Sequence, residues 1–181
     1  MRLSTPGVSR ELIHERKITC HGYRREDGLW DIEGHLSDTK TYGFSNMDRG
    51  TVEAGEPVHG MWLRITVDDE LMIHETEAVT EYAPFNICPG GATGFSKIQG
   101  IKIGPGFRRE VAKLVGGSLG CTHLRELLGR MATTAFQTIY PIKAREIEGS
   151  TTKHSHLVGT CHAYAPGSEV VRRLWPDLEE A

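Results

Sequence analysis

A thiol and an imidazole stand two positions apart in Gly120-Cys121-Thr122-His123-Leu124, where a run of glycines gives way to helical periodicity. A cysteine at a helix N-terminus feels unpaired backbone amides and the positive end of the helix dipole. Both lower its pKa and suit it to act as a nucleophile or a metal ligand. Cys121 also precedes Leu124 and Leu128 on the apolar stripe, a spacing that equally fits a small buried core thiol. Within a helix, side chains two positions apart point well away from each other. Cys121 and His123 therefore share one site only if the helix begins after Cys121.

Other chemistry-bearing residues lie on β-prone runs. Asp31, Glu33 and His35 alternate onto one strand face, and neighbouring strands could add Glu75, Glu77 or His59 to a metal or acid–base site. The competing reading is a charged sheet face turned to water. His59 opens an otherwise apolar face with Met61, Leu63, Ile65 and Val67, so it is either a hydrogen-bonded core histidine or part of a pocket wall. Gly104-Pro105-Gly106-Phe107-Arg108-Arg109 sets backbone amides and two guanidiniums at a helix start, where a phosphate or carboxylate could be held, or serves as a plain turn. Cys161-His162 is a second thiol–imidazole pair, but on a strand its members face opposite ways. No P-loop, dinucleotide fingerprint, Gly-x-Ser-x-Gly elbow or His-Glu-x-x-His helix occurs in the sequence.

The elements that position these groups read as strands first and helices second. Arg16 to Arg24 alternates, and Asp27-Gly28 is the signal of a tight hairpin turn into Leu29–Asp38. His59 to Asp68 and Leu71 to Glu81 form a further antiparallel pair, with Ile73, Glu75, Glu77 and Val79 expected on one face. A short helix is expected from about 106 to 115. A main helix begins near Thr122 on the stripe Leu124, Leu127, Leu128, Met131, Ala135, Phe136 and Ile139, weakened by Gly129 and ended by Pro141. Residues 143 to 156 read as polar and mobile, His156 to Tyr164 as a last strand, and Glu169 to Ala181 as a short helix or strand. The fold class is α+β, with an antiparallel meander sheet in the N-terminal half packed against two helices of the C-terminal half. One domain is expected over residues 1–181, with a mobile N-terminal arm over about 1–14.

Composition narrows the partners. A formal charge of -3 supplies no basic excess to bind nucleic acid. No apolar run approaches the ~20 residues of a membrane span, and the N-terminus lacks the apolar core of a signal peptide. Four scattered cysteines without a Cys-x-x-Cys knuckle read as free thiols of a cytoplasmic protein.

The segments Cys20–Asp38, His59–Asp68, Gly120-Cys121-Thr122-His123-Leu124 and Cys161-His162-Ala163 together resemble a bacterial family known as domain of unknown function 2889. That resemblance implies a single bacterial domain and points to His35, Asp38, His59, Cys121 and His123. It carries no activity, cofactor or catalytic residue with it. The functional expectation is a small-molecule enzyme with a pocket between sheet and helix, of the lyase, hydratase or hydrolase type. His59, His123, His35 and Asp38 are its candidate acid–base residues and Arg64 its anion-binding residue. Metal assistance by zinc or iron would use His59, Cys121 and His123. The substrate would be a small molecule, with Arg64 favouring an anionic one, and a homo-oligomer is compatible. The alternatives are a non-catalytic accessory subunit or ligand-binding module, and a metallochaperone using Cys121 and Cys161.

Overall fold

The computed structural model describes residues 3–4, 7–146 and 157–176. The chain forms two compact units, residues 1–140 and 141–181. The first unit is built on a four-stranded antiparallel sheet of β1 (His14–Arg24), β2 (Trp30–Lys40), β5 (Pro57–Val67) and β6 (Ile73–Tyr82), neighbours in that order. Between β2 and β5 the chain makes a small separate hairpin, β3 (Phe44–Asn46) and β4 (Gly50–Val52). After β6 come α1 (Gly90–Thr93), a 3₁₀ turn at Gly94–Ile98, α2 (Phe107–Val115), and the long α3 (Thr122–Glu146). Strands precede helices, so the architecture is α+β, as the sequence pattern predicts.

The two-residue repeat of the strands divides the sheet into an inner and an outer face. Across β2 and β5 the inner face is a ladder of opposed pairs: Trp30 with Val67, Ile32 with Ile65, Gly34 with Leu63, and Leu36 with Met61. All of these except the glycine are large and almost fully buried. The ladder ends on one polar pair, Asp38 opposite His59. The buried stripe of α3 comprises Leu124, Leu127, Leu128, Met131, Ala135 and Ile139, while α2 contributes Phe107, Val111 and Val115. The helix comes so near the sheet that a β-carbon on Gly34 would lie 2.6 Å from Met131 Sδ and 2.9 Å from Leu127 Cδ1. A glycine at that position is what allows α3 to lie over the centre of the sheet.

Several expectations need correction. The strand expected from Arg16 starts two residues earlier, at His14. In β6 the alternation changes phase: a bulge near His74 lets Ile73 join the inner face while Glu75, Glu77 and Val79 turn outward. One extra residue between paired positions reverses every later side chain. Pro141 does not end α3, which runs on to Glu146. The ring removes only the bond to the carbonyl of residue 137, near the end of a long helix that has most of its ladder behind it.

In the second unit, residues 157 to 165 form turns and no strand, with Thr160 bonded back to Leu157 and Tyr164 to Cys161 through the backbone. Backbone bonds to residues three back close turns and cannot extend a ladder. The tail resolves as helix α4 (Glu169–Leu174), whose first turn is capped by the Ser168 hydroxyl accepting from the Val171 amide at 3.2 Å. The Tyr164 and Trp175 rings lie 5.6 Å apart in this unit. The segment expected to be mobile is helical to Glu146, and its remainder, 147–156, lies outside the described residues.

Two glycines of the α3 packing should respond oppositely. Gly34→Ala forces a methyl against Leu127 and Met131 and is expected to destabilise by about 1–3 kcal/mol. Gly129→Ala meets nothing within 4 Å and should stabilise by up to about 1 kcal/mol. Urea unfolding checks both: the midpoint should fall for the first and rise for the second, at an unchanged slope.

Candidate functional site

At the polar end of the inner ladder, Asp38 is 1% exposed yet makes five close polar approaches. Arg16 holds it with two parallel bonds, Nε to Oδ1 and Nη2 to Oδ2, each 2.7 Å. His14 Nε2 lies 3.1 Å from Oδ1, His59 Nδ1 lies 3.1 Å from Oδ2, and His123 Nε2 lies 3.7 Å from Oδ2. Arg16 uses its remaining nitrogen, Nη1, on Glu126 Oε2 of α3 at 2.5 Å. The arrangement follows from register. Arg16 faces Asp38 across the β1–β2 hairpin, Asp38 faces His59 across β2 and β5, and α3 brings His123 from above.

The His59 and His123 rings are stacked, with centroids 3.9 Å apart. Helix α3 begins at Thr122, so Cys121 sits ahead of it, and Cys121 Sγ reaches His123 Nδ1 at 3.9 Å. Both imidazoles and Cys121 line a cleft of about 490 Å³. Its other walls come from Met61, from the loop after β6 with Pro84, Phe85, Ile87 and Cys88, and from Leu119. The two loops meet where Gly91 passes Cys121; a β-carbon there would lie 3.2 Å from the cysteine backbone nitrogen.

Charge in this corner is arranged around one ionised carboxylate. Burial pushes the Asp38 carboxyl up, but the hydrogen bonds and charge of Arg16, assisted by His59 and His14, outweigh it and hold Asp38 below the usual carboxylate range. An ionised carboxylate only accepts, so the His59 proton sits on Nδ1 and its Nε2 keeps a lone pair. Burial lowers the His59 pKa, His123 adds to that, and Asp38 opposes it; the net shift is downward. His123 is also lowered, by burial first and then by the charge of Arg16. Both rings are therefore neutral at neutral pH, and each can take up a proton or donate a lone pair to a metal.

The remaining candidates lie elsewhere. His35 and Arg64 are on the outer face, away from His59 and His123. His35 stacks on Trp62 at 4.0 Å, and Arg64 pairs with Glu77 and, at 3.8 Å, with Glu33. Their place in a shared pocket with His59 is thus corrected by strand parity. Positions 35 and 62 oppose each other on one face, and 38 and 59 on the other. The row Asp31, Glu33 and His35 likewise faces away from His59. In the turn before α2 the amides of Phe107, Arg109 and Glu110 already bond the carbonyls of Gly104 and Gly106. Cys161 and His162 are exposed in turns of the second unit.

The metal ligand set is also revised. Among the described residues, the group whose donor atoms all lie within 4.8 Å of one another is Asp38, His59 and His123. Cys121 touches His123 but stays outside that group. Zinc and iron both accept imidazole and carboxylate ligands. Here, however, Arg16 already occupies both oxygens of Asp38, leaving the imidazoles as the less committed donors.

Arg16, His14, Glu126 and Cys88 complete the site and are not among the candidates that spacing along the chain selects. Arg16 pairs with Asp38 and His14 with Lys40 because the register is centred on Asp27 alone; a two-residue Asp27-Gly28 turn would instead set Arg16 opposite Thr39. Glu126 stands three residues beyond His123 on α3 and so shares its face, whereas nothing in the sequence pattern brings Cys88 to this corner.

The chain belongs to the family described as Protein of unknown function (DUF2889), whose model matches residues 14–137. That span holds His14, Arg16, Asp38, His59, Cys88, Cys121, His123 and Glu126. No curated protein and no solved structure matches the chain.

The lowered imidazoles and the lowered carboxylate produce two steps in stability against pH. Below the ordinary histidine value of about 6.5 the unfolded chain binds protons that folded His59 and His123 refuse, so stability falls on acidification from there. Asp38 contributes stability that is complete above the ordinary aspartate value of about 3.9 and is lost as pH falls through its lowered folded value. Urea midpoints measured across the acid range should show both steps, and His59→Gln with His123→Gln should remove the upper one. Asp38→Asn should cost about 2–3 kcal/mol at neutral pH, below the full cost of an unpaired buried charge because Arg16 is one-third exposed, at 32%. It should also lower the His59 pKa further, as followed by imidazole NMR.

Proposed function

We propose that this protein is a small-molecule enzyme in which His59, held by Asp38, acts as the general base, with His123 as its proton-transfer partner. The observation that carries this reading is the 3.1 Å bond from His59 Nδ1 to the buried Asp38 Oδ2, at the wall of a 490 Å³ cleft. A carboxylate behind one ring nitrogen fixes the tautomer and stabilises the imidazolium that forms when the other nitrogen takes a proton. Arg16 keeps Asp38 ionised, so that support is present before the reaction starts. The neutral Nε2 of His59 is the group that would remove a proton from a substrate carbon or from water. The proton that His59 takes up would pass, by way of the stacked His123, to the departing oxygen, returning both imidazoles to the neutral form. Two neutral imidazoles side by side suit lyase or hydratase chemistry, where the proton that leaves carbon is delivered to the leaving hydroxyl. Hydrolysis would use the same pair on water. A positioned acid–base group contributes a rate factor of about 10²–10⁴.

A metal-assisted form of the same chemistry draws support from the mutual 4.8 Å spacing of donors on Asp38, His59 and His123. A zinc or iron ion held there would supply Lewis-acid activation of the substrate oxygen. The four free cysteines favour a reducing compartment, consistent with a bacterial cytoplasmic enzyme.

The test works on a mixture of compounds, so the substrate can be found by its disappearance. Purified protein is incubated with a low-molecular-weight metabolite extract in D₂O, and products are followed by mass spectrometry. At least one compound should be consumed or gain deuterium with the wild type, and about 100-fold more slowly with His59→Gln. Equal turnover by His59→Gln would remove His59 from the chemistry. Metal analysis of untagged protein separates the two forms. Stoichiometric zinc or iron lost in His123→Ala supports metal assistance, whereas metal-free, active protein assigns the work to the imidazoles alone.

A further inference from the structure

We infer that the cleft takes an uncharged, largely apolar substrate that presents one hydroxyl or carbonyl oxygen to the paired imidazoles. This rests on the acid–base reading of His59 and His123 and specifies what they act on. Among the described residues, no lysine, arginine, aspartate or glutamate lines the cleft. The charged groups nearest the imidazoles, Asp38 and Arg16, are bonded to each other behind them. An anionic substrate would meet no charged side chain in the wall, only the partial positive charge of the α3 N-terminus, so its desolvation would be poorly offset as water leaves. Arg64, the residue expected to bind an anion in this pocket, is on the opposite sheet face beside Glu77.

The walls point the same way. Met61 is buried at the base, and three large apolar side chains stand open at the cleft: Phe85 at 49% exposure, Leu119 at 55% and Ile87 at 84%. Single exposed apolar residues are ordinary, but three converging on one concavity mark a surface that is covered in use. The cleft's polar side chains, His59, His123, Cys121, Thr122 and Ser118, include no carboxylate, ammonium or guanidinium. The volume of about 490 Å³ is that of a small-molecule site. An apolar body carrying one oxygen, as in an aromatic or aliphatic alcohol, ketone or ester, fits such a lining.

The experiment compares two probes of nearly equal size, naphthol and naphthoate, by isothermal titration of the full chain. Naphthol should bind, and naphthoate should bind at least about tenfold more weakly. Leu119→Glu and Ile87→Glu, both at exposed positions and checked by circular dichroism, should each weaken naphthol about tenfold. The inference is overturned if naphthoate binds as tightly as naphthol, if naphthol does not bind, or if the two rim variants leave its affinity unchanged. It is overturned as well if the rim closes against a second copy, seen as a sedimenting dimer that Leu119→Glu dissolves and naphthol does not. Naphthol binding together with turnover indifferent to His59→Gln would sink the acid–base reading alone. His59-dependent turnover without naphthol binding would sink the substrate class alone.

Discussion

The two-bond grip of Arg16 on Asp38 is the interaction on which the rest of this corner depends. A carboxylate that is 1% exposed would take up a proton if left unpaired, because burial penalises the charged form. With both oxygens engaged at 2.7 Å by a guanidinium, it stays ionised and becomes an acceptor for the imidazoles of His14 and His59. One ion pair thus sets the tautomer of His59, anchors His14, and lies within 3.7 Å of His123. Through Glu126, Arg16 also ties the sheet to α3. Four elements, β1, β2, β5 and α3, meet at that pair.

Its location follows from the apolar ladder beside it. From Trp30–Val67 to Leu36–Met61 the inner face is closed to water by α3, and a charged pair in the middle would face a large desolvation penalty with nothing to offset it. At the end of the ladder the helix is only starting and two loops leave a cleft. Charge there can be held by bonds on one side, while neutral imidazoles face the opening on the other. The outer face of the same sheet solves a different problem. His35, Trp62, Arg64, Glu33 and Glu77 satisfy one another in a solvated layer, which is stable and makes no concavity with the imidazoles.

Much of the fold was legible because strands and helices announce themselves by period. The hairpin at Asp27-Gly28, the strand opening near His59 and the apolar stripe of α3 are all local patterns. The condition under which Cys121 and His123 share a site, a helix beginning at Thr122, was also statable from the sequence, and the helix does begin there. Other features were hidden for definite reasons. The bulge near His74 is one residue with no compositional mark, yet it turns Glu75 and Glu77 outward. Pro141 looked like a stop, but a helix whose stripe is already buried tolerates the loss of one bond.

The sequence by itself determined the alternation of the strands, the class of the fold and the inner placement of His59, since each depends on spacing along the chain. Only the tertiary structure decided that Asp38, His59 and His123 meet while His35 and Arg64 do not. That choice rests on face parity across three strands and on where a glycine lets α3 cross the sheet. These are relations between distant segments, and hydrophobic packing sets them where no local pattern can.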